Sequence, residues 1–329
     1  MRFRFVIYIA LLFAIAGFFL LRRFYHPTPP PIPIVQELSS RLAGSPVRRV
    51  FFRPNSSVNA VTDSGKVVSW ETYDSPARAV SERTVAWSNE NMVSLTLSEP
   101  NKIWVSMGAA SRGFYLDADG VSDALVSPDG SLCLGIAGPK LMIWNTTESS
   151  IHNQFAHIGE IEAVGLSKDL KKVVVAAKSG SSDSMVTIWN LENSASEGTL
   201  PVEGAVGSVA CSTDDATVVI ATQKGVELWD PQGSPTIHFL TAGSVPPSPV
   251  RAVVFSPDGR ILVSGDDERK ITFWDWQKGQ KLNELGPPPF AYSPGAPGVV
   301  SLAYTKDGSL LVAGQGDGLV RLWNTANFH

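Results

Sequence analysis

VRAVVFSPDGRILVSGDDERKITFWD, residues 250–275, decides how the rest of the chain is read. Val250, Ala252 and Val254, and then Ile261 and Val263, alternate with other residues as they do in half-buried strands. Between the two runs, Ser256-Pro257-Asp258-Gly259 is a hairpin signal, because proline presets one turn dihedral and glycine supplies a positive φ. Asp266–Lys270 is a polar turn into a third strand, Ile271–Asp275, which ends in Trp-Asp. Three short strands joined by tight turns are expected.

The stretch recurs. Residues 301–324 read SLAYTKDGSLLVAGQGDGLVRLWN, 208–230 read SVACSTDDATVVIATQKGVELWD, and 124–145 read ALVSPDGSLCLGIAGPKLMIWN. Residues 163–190 form a copy with a longer second turn, 50–71 form another, and 85–105 form a weaker seventh. The closing tryptophans are Trp70, Trp104, Trp144, Trp189, Trp229, Trp274 and Trp323, at gaps of 34, 40, 45, 40, 45 and 49 residues. A mean spacing of about 42 residues is the length of one supersecondary unit in a repeat architecture.

The unit resembles the repeat of the WD40 family in its period, its turn chemistry and its Trp-Asp or Trp-Asn ending. The resemblance implies an all-β, seven-bladed WD40-type β-propeller over residues 34–329. A four-stranded blade has two apolar faces, and stacking blades in a ring covers both. Each closing tryptophan is then a core residue between blades. The last copy stops at its third strand, so the resemblance implies that N-terminal residues add the fourth. Ile34–Leu38 is the candidate, with Leu42–Ser45 where family repeats carry Gly-His. The family's structural network of His, Ser or Thr, Asp and Trp is mostly eroded. Its remnants are His157, Asp183 and Trp189 in the fourth copy, with Ser179 as a possible member, and Asp317 and Trp323 in the last. Reading His157, Asp183 and Ser179 as a catalytic triad is far weaker than reading them as this network.

The N-terminus has a different character. Phe5–Leu21 is an uncharged run of 17 residues between Arg2, Arg4 and Arg22, Arg23. That is the short end of a membrane-spanning helix. A cleaved signal peptide, with Ala14-Ile15-Ala16 as its cleavage site, and a soluble helix are the competing readings. The run continues past Ala16 to the arginine pair, which favours one transmembrane anchor, residues 1–26. The flanking arginines balance, so orientation rests on the extra N-terminal amine, and the propeller is expected on the non-cytoplasmic side. Residues 27–33 are a proline-rich spacer.

With 43% hydrophobic and 18% charged residues, the 329-residue chain has ample core. Its net charge of −4 and the lack of a basic, aromatic-interleaved stripe argue against nucleic acid. Cys133 and Cys211 fall on predicted strands of different blades and read as buried free thiols. Asp117, Asp119 and Asp123 outline a calcium loop that lacks its closing glutamate, and an interblade turn is the better reading. No catalytic constellation, cofactor motif or metal cluster is evident.

The expected role is therefore a membrane-anchored, non-catalytic scaffold for protein partners, with the anchor Phe5–Leu21 in the membrane and the propeller monomeric. The alternatives are a propeller hydrolase or oxidoreductase with a central-channel site, and a structural subunit of an envelope or trafficking complex. The Pro- and Gly-rich linkers 243–249 and 286–298 connect successive blades, on the face that the resemblance marks for binding. Phe290 and Tyr292, with Pro246 and Pro247 on the neighbouring linker, are the candidate partner-binding residues.

Overall fold

Packing of flat, apolar sheets against one another shapes the molecule. The computed structural model describes residues 36–53, 55–71, 78–80, 84–88, 93–99, 101–108, 112–147, 150–233, 238–240, 248–286, 296–326 and 328. These residues form seven four-stranded antiparallel sheets. Blades 1 to 6 occupy residues 47–80, 84–117, 123–156, 161–202, 208–240 and 250–285, each with strands a to d in chain order. Blade 7 takes strands a to c from 299–324 and strand d from Gln36–Leu42. Predicted partner-binding residues Phe290, Tyr292, Pro246 and Pro247 lie outside the described residues, as does the run Phe5–Leu21. Among the described residues no helix is long and apolar enough to cross a membrane.

The alternation expected in strand b of blade 6 does not hold, since Ile261 through Gly265 are all buried. The same is true of Val218–Thr222 in blade 5. A middle strand is covered on one side by the preceding blade and on the other by the next, so both of its faces are apolar. Phe273 and Ile271 of blade 6, for example, pack with Leu311, Ala313 and Trp323 of blade 7. Outer strands behave differently: Gln280–Leu285 is exposed at most positions.

Six closing tryptophans share one register. Trp70, Trp144, Trp189, Trp229, Trp274 and Trp323 pair with Val58, Cys133, Val173, Val218, Leu262 and Leu311, and each of these also faces the final residue of strand a. Trp104 does not belong to the series. In blade 2 the equivalent position is Ser106, opposite Ser94, and Trp104 lies two residues earlier. Its half-buried ring rests 4.7 Å from Tyr115, which is half exposed. The short 34-residue gap before Trp104 is the trace of this shift.

A shared polar device closes the a–b turns of blades 3 to 7. Ser127, Ser167, Ser256 and Thr305 donate to Asp129, Asp169, Asp258 and Asp307 over 2.6, 2.7, 2.6 and 2.7 Å, and Ser212 donates to Asp214. Each hydroxyl also accepts the backbone N–H five residues on, at 2.9–3.0 Å. The turn therefore depends on the Ser-x-Asp pair more than on proline or glycine. The next position has positive φ in all five blades and is glycine in three; Leu170 and Asp215 take it at 58° and 56°. Hydrogen bonds from Ser212 and Thr305 hold Asp214 and Asp307 below the usual carboxylate range. Their contribution to stability is present above about pH 4 and is lost as pH falls through the lowered values.

Asp266, in the b–c turn of blade 6, has the opposite sign. Burial pushes its carboxyl up to about 6, although Lys270 N–H donates to it. The folded state holds a proton that an unfolded chain releases near 3.8, so this group lowers stability as pH rises from about 4 to 6. Asp266→Asn keeps the acceptor for Lys270. The variant is expected to melt above the parent at pH 7 by about 1–2 kcal/mol of stability, after allowance for screening at a partly exposed site, and to match it at pH 4. Parallel melts at the two pH values check this; an unchanged difference between them would refute it.

Strand d of blade 7 closes the ring. Gln36–Leu42 runs antiparallel to Leu319–Asn324, from Gln36 opposite Asn324 to Leu42 opposite Leu319. The strand thus lies a few residues later than the expected 34–38, and Ile34 and Val35 are not among the described residues. Ala43 N–H donates to Gly318 O just as His157 N–H donates to Pro139 O, so the two loops that follow are equivalent. Arg321, nearly buried, grips Glu37 through two bonds of 3.0 and 2.6 Å and donates to Gly286 O of blade 6 at 3.1 Å.

Candidate functional site

Seven a strands, the innermost of each blade, surround a central channel. Its alternating positions send side chains into the lumen. At the end bearing the d–a links the lumen is polar: Arg48, Arg49, Asp123, Glu162, Ser208 and Ser301 line a space of about 440 Å³. At the end bearing the a–b turns it widens to about 930 Å³ and is mostly apolar, with Leu125, Leu166, Val254, Phe255, Leu302 and Tyr304 among its walls.

The arginines and carboxylates at the narrow end of the channel are engaged by the protein itself. Arg49 donates to Asp123 at 2.6 Å, Ala124 O at 2.8 Å and Val85 O at 3.3 Å, so it reaches from blade 1 to blade 3 past the short inner strand of blade 2. Arg48 adds a second ion pair to Asp123 at 3.1 Å. The carboxylate of Glu162 accepts from Ser184 Oγ at 2.6 Å and Val206 N–H at 3.1 Å. Asp123 is thus an interblade clamp and not part of a calcium loop. Among the described residues no group of three His, Cys, Asp or Glu side chains could hold a metal ion. Both thiols are free. Burial pushes Cys133 far up, and Cys211, at the wide end of the channel, up to about 12, where little thiolate forms at neutral pH.

Of the expected structural network in blade 4, His157 and Trp189 are in contact, but no side-chain hydrogen bond is seen between them or from them to Asp183. His157 stands edge-on to Trp189 with centroids 6.0 Å apart, and Phe155 stacks on the same indole at 4.9 Å. His157 Nε2 and Trp189 Nε1 have no hydrogen-bond partner. Asp183 instead accepts Gly204 N–H at 3.1 Å, and Ser179 N–H donates to Asp183 O. In blade 7, Asp317 accepts Leu319 N–H and forms a buried ion pair with Arg269 of blade 6 at 3.2 Å. Arg321, at 4.8 Å, covers the Trp323 ring. Blade 6 keeps a tryptophan–serine bond, Trp274 Nε1–H to Ser264 at 2.8 Å. Val175 holds the matching position in blade 4, which is why Trp189 lacks an acceptor.

Sequence comparison agrees with this architecture. The family model "WD domain, G-beta repeat" (WD40) matches residues 236–275 and 292–324. The first match takes in strand d of blade 5 and ends with strand c of blade 6. The chain carries WD40 repeats and is a seven-bladed β-propeller. It is 29% identical over 174 residues to the small ribosomal subunit protein RACK1y of Oryza sativa subsp. japonica, covering 52% of this chain and 50% of that protein. Small ribosomal subunit protein RACK1 of Neurospora crassa is 28% identical over 145 residues, covering 43% and 44%. Apoptotic protease-activating factor 1 of Rattus norvegicus is 27% identical over 250 residues, 73% of this chain and 18% of that protein. The chain spans about half the length of the first of these relatives.

Proposed function

We propose that this chain is a membrane-tethered, non-catalytic scaffold that offers the surface of a rigid WD40 propeller to protein partners. The observation that carries this reading is that the carboxylates at the narrow end of the channel are engaged by the protein itself: Asp123 by Arg48 and Arg49 of blade 1, Glu162 by Ser184 of its own blade and by Val206 N–H. Groups used in that way stiffen a ring and are not poised to act on a substrate. The resemblance to RACK1 proteins over half their length supports a propeller that works by contact. Phe5–Leu21 supplies the tether as a single span, residues 27–33 the spacer, and the propeller faces the non-cytoplasmic side.

Crosslinking in native membranes, followed by identification of what copurifies, tests the scaffold; a chain that crosslinks to no protein would refute it. Extraction with alkaline carbonate and protection from added protease test the tether, and release of the full-length chain by carbonate would rule it out. Phe290 and Tyr292 belong to the proposed contact surface, with Pro246 and Pro247 beside them. Replacing both aromatics with alanine is expected to weaken partner capture by about 2 kcal/mol without lowering the melting temperature. A double variant that melts several degrees lower would place these rings in the core instead.

A further inference from the structure

The seam between blades 1 and 2 is built differently from the others. Each of the others has an apolar cluster with buried members from both blades. At the blade 1–blade 2 seam the described residues give a cluster of Phe51, Val61 and Val67, all from blade 1. Their neighbours Val50, Phe52, Ala60 and Val68 pack toward blade 7, so strand alternation turns these three toward blade 2.

Blade 2 meets them with half-covered side chains. Ile103 and Val105 of its strand c face blade 3. That leaves Lys102, Trp104 and Ser106 for blade 1, and all three are partly exposed. Elsewhere the residue two before the closing tryptophan, Val68, Met142, Thr187, Glu227, Thr272 or Arg321, is at most 8% exposed. In blade 2 that place is taken by Trp104, whose indole folds over Gly113 and Tyr115 of its own outer strand.

One side chain crosses the seam and goes beyond it. Arg49, on strand a of blade 1, donates to Val85 O of blade 2 and to Ala124 O and the Asp123 carboxylate of blade 3. It therefore straps the inner strand of blade 2 between its neighbours. In a closed array of repeats, stability is the sum of each unit's own term and its seams with the units beside it. The seam that buries the least apolar surface contributes the least, and local opening begins where such contacts are few.

We propose that the blade 1–blade 2 seam is a built-in opening of the ring: it parts below the global unfolding transition, and the Arg49 strap to blade 3 keeps it shut. The blade 2–blade 3 seam, with Trp144 in its cluster, stays closed as this happens. The inference concerns the ring itself and does not rest on the scaffold reading.

Thiol labelling of the full-length chain under native conditions tests it. Val67 and Val226 stand three residues before the closing tryptophans of blades 1 and 5, and both are fully buried. Val67 faces the seam in question, and Val226 packs with Trp274 across the blade 5–blade 6 seam. Val67→Cys and Val226→Cys are treated separately with iodoacetamide, and fragment masses separate the new thiol from Cys133 and Cys211. Val67→Cys is expected to react about tenfold faster than Val226→Cys, or more, because the open state of its seam is more populated. Val61→Cys, on the neighbouring strand, is expected to behave as Val67→Cys does. Adding Arg49→Met is expected to speed labelling in Val67→Cys by a further factor of about ten and to leave Val226→Cys within about two-fold. Equal rates for Val67→Cys and Val226→Cys would overturn the opening. An Arg49→Met effect that is absent, or that is the same at both seams, would overturn the strap.

Discussion

A chain lacking residues 36–42 is expected to lose its single cooperative melting transition. Those residues are strand d of blade 7, and no other described segment can take the place of that strand beside Leu319–Asn324. Without it the edge of strand c is unpaired and open to other chains. Leu38, which packs with Val320 and Leu322 at the seam with blade 1, is lost as well. The nearly buried Arg321 is left without the carboxylate it holds through two bonds. Glu37→Ala isolates this last effect. Arg321 is buried but Glu37 is exposed on one side, so removing the carboxylate costs less than in a fully buried pair, about 1–2 kcal/mol. Calorimetry on the two variants gives the measurement. A deletion with an unchanged melting temperature would show that the ring closes without this strand.

Much of this fold is legible in the sequence because a propeller repeats its local chemistry. Ser256-Pro257-Asp258-Gly259 and Trp274 recur, in full or in part, with the period of one unit of a repeat architecture. The places where the reading fails have physical causes. Alternation in Ile261–Gly265 suggested a half-buried strand, but a middle strand has a blade on each side and no solvent face. Trp104 looked like a closing tryptophan because spacing alone cannot resolve a shift of two residues, which leaves the ring on the same side of the strand. The Ser-x-Asp pairs are visible as Ser127-Pro128-Asp129 and its relatives, but proline and glycine in the same turns are the stronger local signal and mask them. Ser264, ten residues before Trp274, could have been found as the acceptor its indole needs. Contacts such as Arg49 to Asp123, 74 residues apart, and Arg321 to Glu37, 284 apart, depend on how the ring closes and leave no local mark. The candidate partner contacts were less legible still, since linker composition alone marks Phe290 and Tyr292.

Asp317→Asn is expected to destabilise the ring by about 3–5 kcal/mol, because it removes the charge from one side of a fully buried ion pair. Arg269 and Asp317 are 4% and 5% exposed and join the b–c turns of blades 6 and 7 at 3.2 Å. Asparagine can still accept Leu319 N–H through its side-chain oxygen, as Asp317 does, so the local turn is kept and the interblade charge is the main loss. Screening by salt is weak at such a depth, and the difference between variant and parent should change little between low and 0.5 M salt. A paired substitution, Arg269→Met with Asp317→Asn, removes the buried cation as well and is expected to recover part of the loss. Arg269 sits at a φ of 66°, a conformation that methionine tolerates no better than arginine, so this strain is common to both chains and cancels in the comparison. Denaturant unfolding of the parent, Asp317→Asn, Arg269→Met and the double variant gives the coupling directly. If Asp317→Asn stays within about 0.5 kcal/mol of the parent, as surface substitutions do, then the seam between blades 6 and 7 is held by Phe273, Leu311 and Trp323 alone and the ion pair contributes nothing to it.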